Sequence, residues 1–592
     1  MKSERIKQRQ VQGEEVINNR VRKVKIVFSL LFFVVFCSLF KLQVFDYSLY
    51  TRKMRKQIFK KVVVKTERGK IYDRNGIVLA MDVPFYSLYL DFWKIGDYEK
   101  RRPGYCEFVK KKVREILNLT EEQLESRIKN SSYPLIKREL SLEEYKRLKS
   151  LNLEGKGIVF EKNFKRVYPY GKLACHILGF SGMERKGLEG VEYYYDGILK
   201  PVDGVSIVLR DGRGKLIPSM EEELIAPRRG RDIFLTIDLN IQNIVEEELD
   251  RLWEEFRPRN ITAIVMEPES GEILALANRP NYNPNRPGNY SAEFRRNRAV
   301  TDLFEPGSIF KIVTIAAALE ENIVIPSQVF YCEKGKWFIR NHYLHDVHKY
   351  ENLTVEDILI KSSNIGTVKI ALKLGKRLLY SYCKKFGFGQ LSGIDLPGEV
   401  KGILRKPDLW SGYSIVAIPI GQEVGVTSIQ AIRAMGVIAN NGYLPIPHVL
   451  KEIHSPDGRI TPYIITPSKK VISDRTCKIL SEMLEKVVSP EGTAPLAYIP
   501  GYYTGGKTGT AQKVVNGRYS SSKVIASFIG YIYNNHSPKV LILVKVDEPH
   551  KLHYGGLVAA PVFRNIAWRI MYYWKIPPDK NLKKLKIALK EK

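Results

Sequence analysis

The chain has 592 residues, too many for one hydrophobic core, and 44% of them are apolar, so two or more globular domains are expected. A formal charge of +31 implies a polyanionic partner or surface. Zinc-finger spacing, an RNA-binding signature and an arginine-rich arm are all missing, which sets nucleic acid aside in favour of anionic lipid or an acidic polymer such as cell wall.

Ile26 to Phe45, "IVFSLLFFVVFCSLFKLQVF", is an apolar run with Lys41 and Gln43 near one end. At 1.5 Å per residue it spans about 30 Å, one bilayer core. Residues 1–25 carry eight Lys/Arg and three acids, a net +5. Positive flanks stay in the cytoplasm. Residues 26–45 therefore read as a single transmembrane anchor in the cytoplasmic (inner) membrane. Residues 1–25 form its cytoplasmic basic tail, and the bulk of the chain is expected outside. A cleaved signal peptide wants a shorter apolar run and a small-residue cleavage site, which the following "KLQVFDYSLY" lacks. A buried soluble helix is the other rival, disfavoured by length and flanks.

Residues 46–225 read as an N-terminal pedestal. "KVVVKTERGKIYDRNGIVLA", 61–80, alternates and then turns at Asp73-Arg74-Asn75-Gly76, a hairpin signal. From about 90 to 165 the Lys/Glu-rich stretches "VKKKVREIL" and "SLEEYKRLKSL" have helical spacing and suggest an inserted lobe of solvated helices. Residues 166–204 are rich in Gly and Tyr. No catalytic constellation appears in this half, and it reads as scaffold.

Pro, Gly and charge cluster in "APRRGRD", 226–232, and a second domain is expected over 230–575. It opens with a strand and an amphipathic helix, "DIFLTIDLNIQNIVEEELDRLWEEF", followed by a hairpin, "ITAIVMEPESGEILALANRP". "VIASFIGYIY" and "KVLILVKV" read as neighbouring strands, and "APVFRNIAWRIMYYW" as a closing helix. Strands at both ends with helices between predict an α+β domain whose termini share one sheet. Residues 576–592 read as a basic C-terminal tail; Leu582, Leu585 and Leu589 would share a helical face, but a frayed tail is preferred to a membrane-surface helix.

The pattern Ser-x-x-Lys occurs at Ser38, Ser126, Ser308, Ser381 and Ser520. In "EPGSIFKIVTIAAALE" a Pro-Gly turn precedes Ser308, and the helix that follows is apolar on nearly every side, as a buried central helix is. Lys311 lies one turn on, within reach of the Ser308 oxygen. Burial lowers a lysine pKa, and a neutral lysine can take the serine proton. The helix start favours negative charge developing there. Downstream, in order, stand Ser362-Ser363-Asn364 and Lys507-Thr508-Gly509-Thr510. Gly509 would let a substrate backbone lie close to its strand, and a cationic, hydroxyl-bearing strand edge suits a terminal carboxylate. Ser38 falls in the anchor, Ser126 in the scaffold half, and Ser381 and Ser520 fail on order.

Ser-x-x-Lys, Ser-Asp-Asn and Lys-Thr-Gly together are the signature of penicillin-binding proteins and class A β-lactamases. The chain resembles a class B penicillin-binding protein, a membrane-anchored peptidoglycan D,D-transpeptidase, from the anchor to residue 575. The likeness is carried by "RGKIYDRNGIVLA", "GLEGVEYYYDGIL", "LTIDLNIQ", "EPESGEILALA", "FEPGSIFK", "SSNIG", "GIDLPGE", "GQEVGVTSIQA", "GGKTGTAQK" and "VDEP". It resembles the division-specific branch, the penicillin-binding protein 3 type. The cue is Asn364, where elongation-type members more often have Asp.

The resemblance implies a penicillin-binding/serine β-lactamase-like fold, an antiparallel sheet flanked by helices, on an elongated non-catalytic pedestal of dimerisation type. It implies that Ser308 attacks the carbonyl between the terminal D-alanines of a stem peptide, with Lys311 as general base. Ser362 would relay a proton to the leaving amine, and Asn364 would hydrogen-bond the substrate amide and Lys311. Lys507, Thr508 and Thr510 would hold the carboxylate, and the N–H groups of Ser308 and Thr510 would form the oxyanion hole. An acceptor amine then resolves the acyl-enzyme; water in its place gives D,D-carboxypeptidation. β-Lactams would acylate Ser308. No cofactor is implied. Residues 46–225 are too short for a glycan polymerase, so the implied partner is a multi-spanning membrane polymerase among other divisome proteins, at the septum.

Other readings are weaker. His342, His345 and His348 tempt a metal assignment, but Asp346 and His348 match an Asp and His that recur before the family's middle motif, and no His-Glu-x-x-His run exists. A class A β-lactamase would add a Glu for deacylation, and no Glu-x-x-Leu-Asn run follows the middle motif. An elongation-type transpeptidase and a non-catalytic division scaffold remain the alternatives. The six cysteines, Cys37, Cys106, Cys175, Cys332, Cys383 and Cys477, include no Cys-x-x-Cys pair, which excludes a zinc ribbon and leaves long-range disulfides open.

Overall fold

The computed structural model describes residues 2–129, 131–210, 216–465, 468–515, 517–535 and 539–578. The C-terminal tail from 579 thus lies outside the described residues. The chain forms two units: residues 1–66, 86–162 and 202–228 in one, and 67–85, 163–201 and 229 onward in the other.

In the first unit, helix α1 (Lys2–Phe40) runs into a π-helical turn, Lys41–Phe45. Ile17–Phe45 is long and apolar enough to cross a membrane, and none of its apolar window is buried against the rest of the chain. A sheet of three antiparallel strands follows, Phe59–Val64, Gly204–Arg210 and Leu216–Ile225. The lobe expected near 90–165 contains four short helices, Phe92–Glu99, Tyr105–Leu117, Glu121–Ile128 and Leu142–Ser150. Each is too short to persist alone. Capping boxes at Thr120/Gln123 and Ser141/Glu144 satisfy their first N–H groups, and Val109, Val113, Leu124 and Leu148 pack as their common core.

Segments 67–85 and 163–201, which the sequence groups with the pedestal, fold with the C-terminal part. Ile71 pairs in parallel with Ile233, and the turn at Asp73–Gly76 closes on Asp73, whose carboxylate accepts the N–H groups of Asn75 and Ile77. Arg68 is fully buried. It donates to Glu192 (2.7 Å) and Asp196 (2.6 Å), while Arg166 donates to the other Glu192 oxygen (2.6 Å) and to Asp82 (3.3 Å). The Tyr195 hydroxyl donates to Asp395 (2.5 Å), whose carboxylate also accepts the Val449 and Leu450 N–H groups. Two of the quoted motifs, "RGKIYDRNG" and "GLEGVEYYYDGIL", are thereby one ion-paired cluster, and the second is tied to "GIDLPGE".

The remainder of this unit centres on a five-stranded antiparallel sheet. Its strands are β1 (Asn260–Met266), β2 (Ile273–Arg279), β3 (Tyr503–Val515), β4 (Arg518–Tyr533) and β5 (Val540–Asp547), in the spatial order β2-β1-β5-β4-β3. Ala263 pairs with Val544, so the two ends of the domain do share one sheet. Every residue of β1, β2 and β5 is buried, because helices cover both faces. Such strands read as continuous apolar runs. Helices α2 (Leu239–Phe256) and α6 (Gly555–Tyr573) pack on the sheet, and α3 (Lys311–Glu320), α4 (Val355–Ile360) and α5 (Asn364–Leu374) belong to the helical part. All six cysteines are free thiols, four of them buried, so the long-range disulfides left open above do not form.

Candidate active site

Ser308 lies in a 3₁₀ turn, Gly307–Phe310, that runs directly into α3. Two glycines set that turn. Gly307 has φ +54°, and its N–H donates to the Gly421 carbonyl (3.1 Å). Gly421 has φ +78°, and a Cβ there would stand 2.2 Å from the Gly307 oxygen. Ser308 itself is half-buried, and its hydroxyl has no hydrogen-bond partner among the described residues. All of α3 except Glu320 is buried, Lys311 included at 0% exposure.

Ser362 occupies the link between α4 and α5 at φ +59°, a left-handed conformation unusual for serine. The three motifs meet on it. Lys311 Nζ donates to the Ser362 carbonyl (2.5 Å) and lies 3.2 Å from its Oγ, and Lys507 Nζ lies 2.9 Å from the same Oγ. Lys507 comes from β3, the edge strand, and is also fully buried. Burial pushes Lys311 down to about 7, partly opposed by the charge of Asp346. Burial and the neighbouring Lys311 hold Lys507 well below its ordinary value. Two ammonium groups on one hydroxyl in a dry site repel, so one proton is easily lost.

Asn364 is placed differently from expectation. Its side-chain amide donates to the His345 carbonyl (2.7 Å), and no hydrogen bond joins it to Lys311 among the described residues. The reason is the start of α5. Ser363 caps it, its hydroxyl accepting the Gly366 N–H (2.9 Å) and donating to Asp346 (2.6 Å). Asp346 also accepts the N–H groups of Asn364 (2.5 Å) and Ile365 (3.1 Å). This anchors the strand His342–His345 across the helix end, and Asn364 follows its backbone. The charge of Asp346 also raises the Lys311 pKa, a role that its residue type alone did not give.

On β3 the Thr508 hydroxyl lies 3.3 Å from that of Thr493, and the Thr510 hydroxyl accepts the Gly555 N–H (3.2 Å). Gly509 is explained by packing: a Cβ there would meet Ser527 Oγ at 2.4 Å and the Ile309 side chain at 3.1 Å. The protein's own atoms fill that direction, so Gly509 gives β3 a close fit to Ser527 and to the Ser308 turn.

Glu305, three residues before Ser308, went unnoticed in the sequence. One carboxylate oxygen accepts the Glu423 N–H (2.9 Å) and the Tyr519 hydroxyl (3.2 Å); the other is buried without a partner. Burial pushes this carboxyl up. His342 meets the Tyr413 ring and His348 the Tyr350 ring, and among the described residues no group of three or more His, Cys, Asp or Glu could hold a metal.

The chain matches the penicillin-binding protein transpeptidase domain over residues 261–567 and the penicillin-binding protein dimerisation domain over residues 63–235. It is 33% identical over 580 residues to the probable peptidoglycan D,D-transpeptidase PenA of Neisseria meningitidis, covering 97% of this chain and 96% of that one. It is 35% identical to stage V sporulation protein D of Bacillus subtilis, covering 87% and 79%, and 30% identical to the peptidoglycan D,D-transpeptidase FtsI of Escherichia coli, covering 87% and 85%. Among solved structures, penicillin-binding protein 3 of Mycobacterium tuberculosis complexed with ampicillin superposes with a TM-score of 0.68 at 26% identity, covering 88% of this chain and 98% of that one. A dimerisation domain followed by a transpeptidase domain, in relatives that share about a third of their residues with it across most of its length, makes this chain a member of the class B penicillin-binding proteins.

Proposed function

We propose that this class B penicillin-binding protein is a single-pass membrane enzyme that crosslinks peptidoglycan stem peptides during septal wall synthesis. The observation that carries the chemistry is the meeting on the Ser362 hydroxyl of Lys507 and of Lys311, which lies one helical turn on from Ser308. In this reading Ser308 Oγ attacks the carbonyl carbon between the two terminal D-alanines, and neutral Lys311 takes its proton. The tetrahedral oxyanion is held by the N–H groups of Ser308 and Thr510; removing one such donor costs about 10²–10³ in rate in other acyl-transfer enzymes. Ser362 passes a proton to the leaving D-alanine amine as the C–N bond breaks. An acceptor amine then attacks the ester, the C–O bond to Ser308 breaks, and the proton returns to Ser308.

Lys507, Thr508 and Thr510 receive the substrate carboxylate along β3, the edge strand of the sheet, where an extended peptide can add as a strand. Asn364 serves the substrate amide rather than Lys311. The bound β-lactam of the Mycobacterium relative supports β-lactam acylation at Ser308. The apolar helix, with a basic flank before it, supports a single anchor with the bulk of the chain outside. Asn364 and relatives named FtsI support the division role, with a multi-spanning polymerase and other divisome proteins as partners.

Fluorescent penicillin is the test. The wild-type membrane fraction should label and Ser308→Ala should not; equal labelling, or a folded wild type that stays dark, overturns the assignment. Depletion should give filaments, and rounded cells would assign it to elongation instead.

A further inference from the structure

Helix α6 begins beside the candidate site, at the Gly555–Thr510 hydrogen bond, and ends at a groove of about 710 Å³. Nineteen residues of helix rise about 28 Å. The groove is aromatic. Trp568 and Tyr572, one turn apart, are 52% and 74% exposed, and their rings lie nearly parallel, 5.7 Å between centroids at 20°.

The rest of the lining is fixed from behind. The Tyr502 hydroxyl donates to the Ile576 carbonyl (2.7 Å), and the Tyr573 hydroxyl donates to Asp238 (3.3 Å). Gly501, at φ +88°, packs so closely on Pro578 that a Cβ would stand 2.3 Å from it. This surface is already ordered, so a ligand would pay little to be received there. A patch of exposed rings marks a contact site.

Its lining includes one cation, Lys575. Arg569 is taken up by Glu247 and Glu248, but the Lys575 side chain has no hydrogen bond or ion pair among the described residues. Flat exposed rings beside an unspent cation suit a saccharide bearing acidic substituents. The C–H face of a sugar ring is apolar and slightly positive, and aromatic faces are negative.

We infer that this groove is a glycan site: it holds the sugar backbone of a peptidoglycan strand on Trp568 and Tyr572, with Lys575 meeting stem-peptide carboxylates. The inference rests on the peptidoglycan reading above. It gives the enzyme a hold on the polymer at one end of α6 while peptide chemistry proceeds at the other.

The experiment uses the full chain in detergent, acylated with penicillin so that the peptide site is blocked. Binding is measured by co-sedimentation with purified sacculi and with glycan strands stripped of stem peptides by an amidase. Wild type should bind both. The Trp568→Ala/Tyr572→Ala double variant should lose about tenfold in affinity, equivalent to about 1.4 kcal/mol. Trp568→Phe/Tyr572→Phe should retain most binding, and all variants should label with fluorescent penicillin at the wild-type rate. Undiminished binding by the double alanine variant overturns the inference. So does binding of wild type to intact sacculi but not stripped strands, or to anionic phospholipid vesicles in place of glycan. A protein that fails to label with penicillin would overturn the Ser308 reading instead, a result independent of sedimentation.

Discussion

Lys311 and Lys507 come from different motifs and different layers of the domain, yet both reach one hydroxyl, that of Ser362, at 3.2 and 2.9 Å. Both are fully buried, and Lys311 titrates at about 7. Acylation by a penicillin should therefore fall as pH drops below about 7, tenfold per unit once Lys311 is mostly protonated, and level off above it. Rates measured from pH 5 to 9 check this; an acid limb near the ordinary lysine value of about 10.4 would deny Lys311 the role of base.

The same shift affects stability. Unfolded Lys311 titrates at about 10.4, so between about 7 and that value the unfolded chain binds more protons than the native one, and stability rises with pH. Below about 7 both states are protonated and the slope from this group vanishes. Lys507 is shifted in the same direction. Melting temperatures at pH 7 and 9 should differ less in Lys311→Met than in wild type.

Asp346 acts on Lys311 and on α5 together. It raises the Lys311 pKa, and its carboxylate receives two N–H groups at the start of α5. Asp346→Asn should therefore move the acid limb of acylation to lower pH. It should also cost about 1 kcal/mol of stability through the lost charge at a helix N-terminus. An unmoved pH profile would show that the field of Asp346 does not reach Lys311.

How much of this was legible in the sequence depends on the range of each feature. The order of the motifs around Ser308, Ser362 and Lys507 pointed to their convergence because place and order along the chain singled out one Ser-x-x-Lys of five. The left-handed backbone of Ser362 and the turn of Asn364 toward His345 were not legible, since both follow from how α4, α5 and the strand His342–His345 are packed. The packing reason for Gly509 was not legible because its neighbour Ser527 lies on another strand. The grouping of 67–85 and 163–201 with the C-terminal unit was hidden for a similar reason: Arg68 and Glu192 are 124 positions apart, and no local pattern marks a buried ion pair.

That ion pair carries a prediction away from the chemistry. Arg68 and Glu192 side chains are both 0% exposed. Removing one partner of a buried pair leaves the other uncompensated, at a cost of about 3–5 kcal/mol. Arg166 still faces Glu192, so Arg68→Met should sit at the low end of that range. Thermal or urea unfolding should register the loss, while the folded fraction should react with penicillin at the wild-type rate.

Gly421 tests the geometry of the nucleophile itself. Its left-handed φ and the 2.2 Å approach to the Gly307 oxygen leave no room for a side chain, and the neighbour is backbone, which cannot swing aside. Gly421→Ala must therefore strain Gly421, shift the turn that carries Ser308, or both. Left-handed alanine and the clash together should cost about 2 kcal/mol or more. A nucleophile displaced by a fraction of an ångström should slow acylation by at least about tenfold, since a 1 Å misplacement can cost about a hundredfold. Gly412, with nothing within 4 Å of its Cβ position, is the control, and Gly412→Ala should leave both quantities unchanged. Wild-type acylation by a folded Gly421→Ala protein would mean that the Gly307–Gly421 contact does not position Ser308.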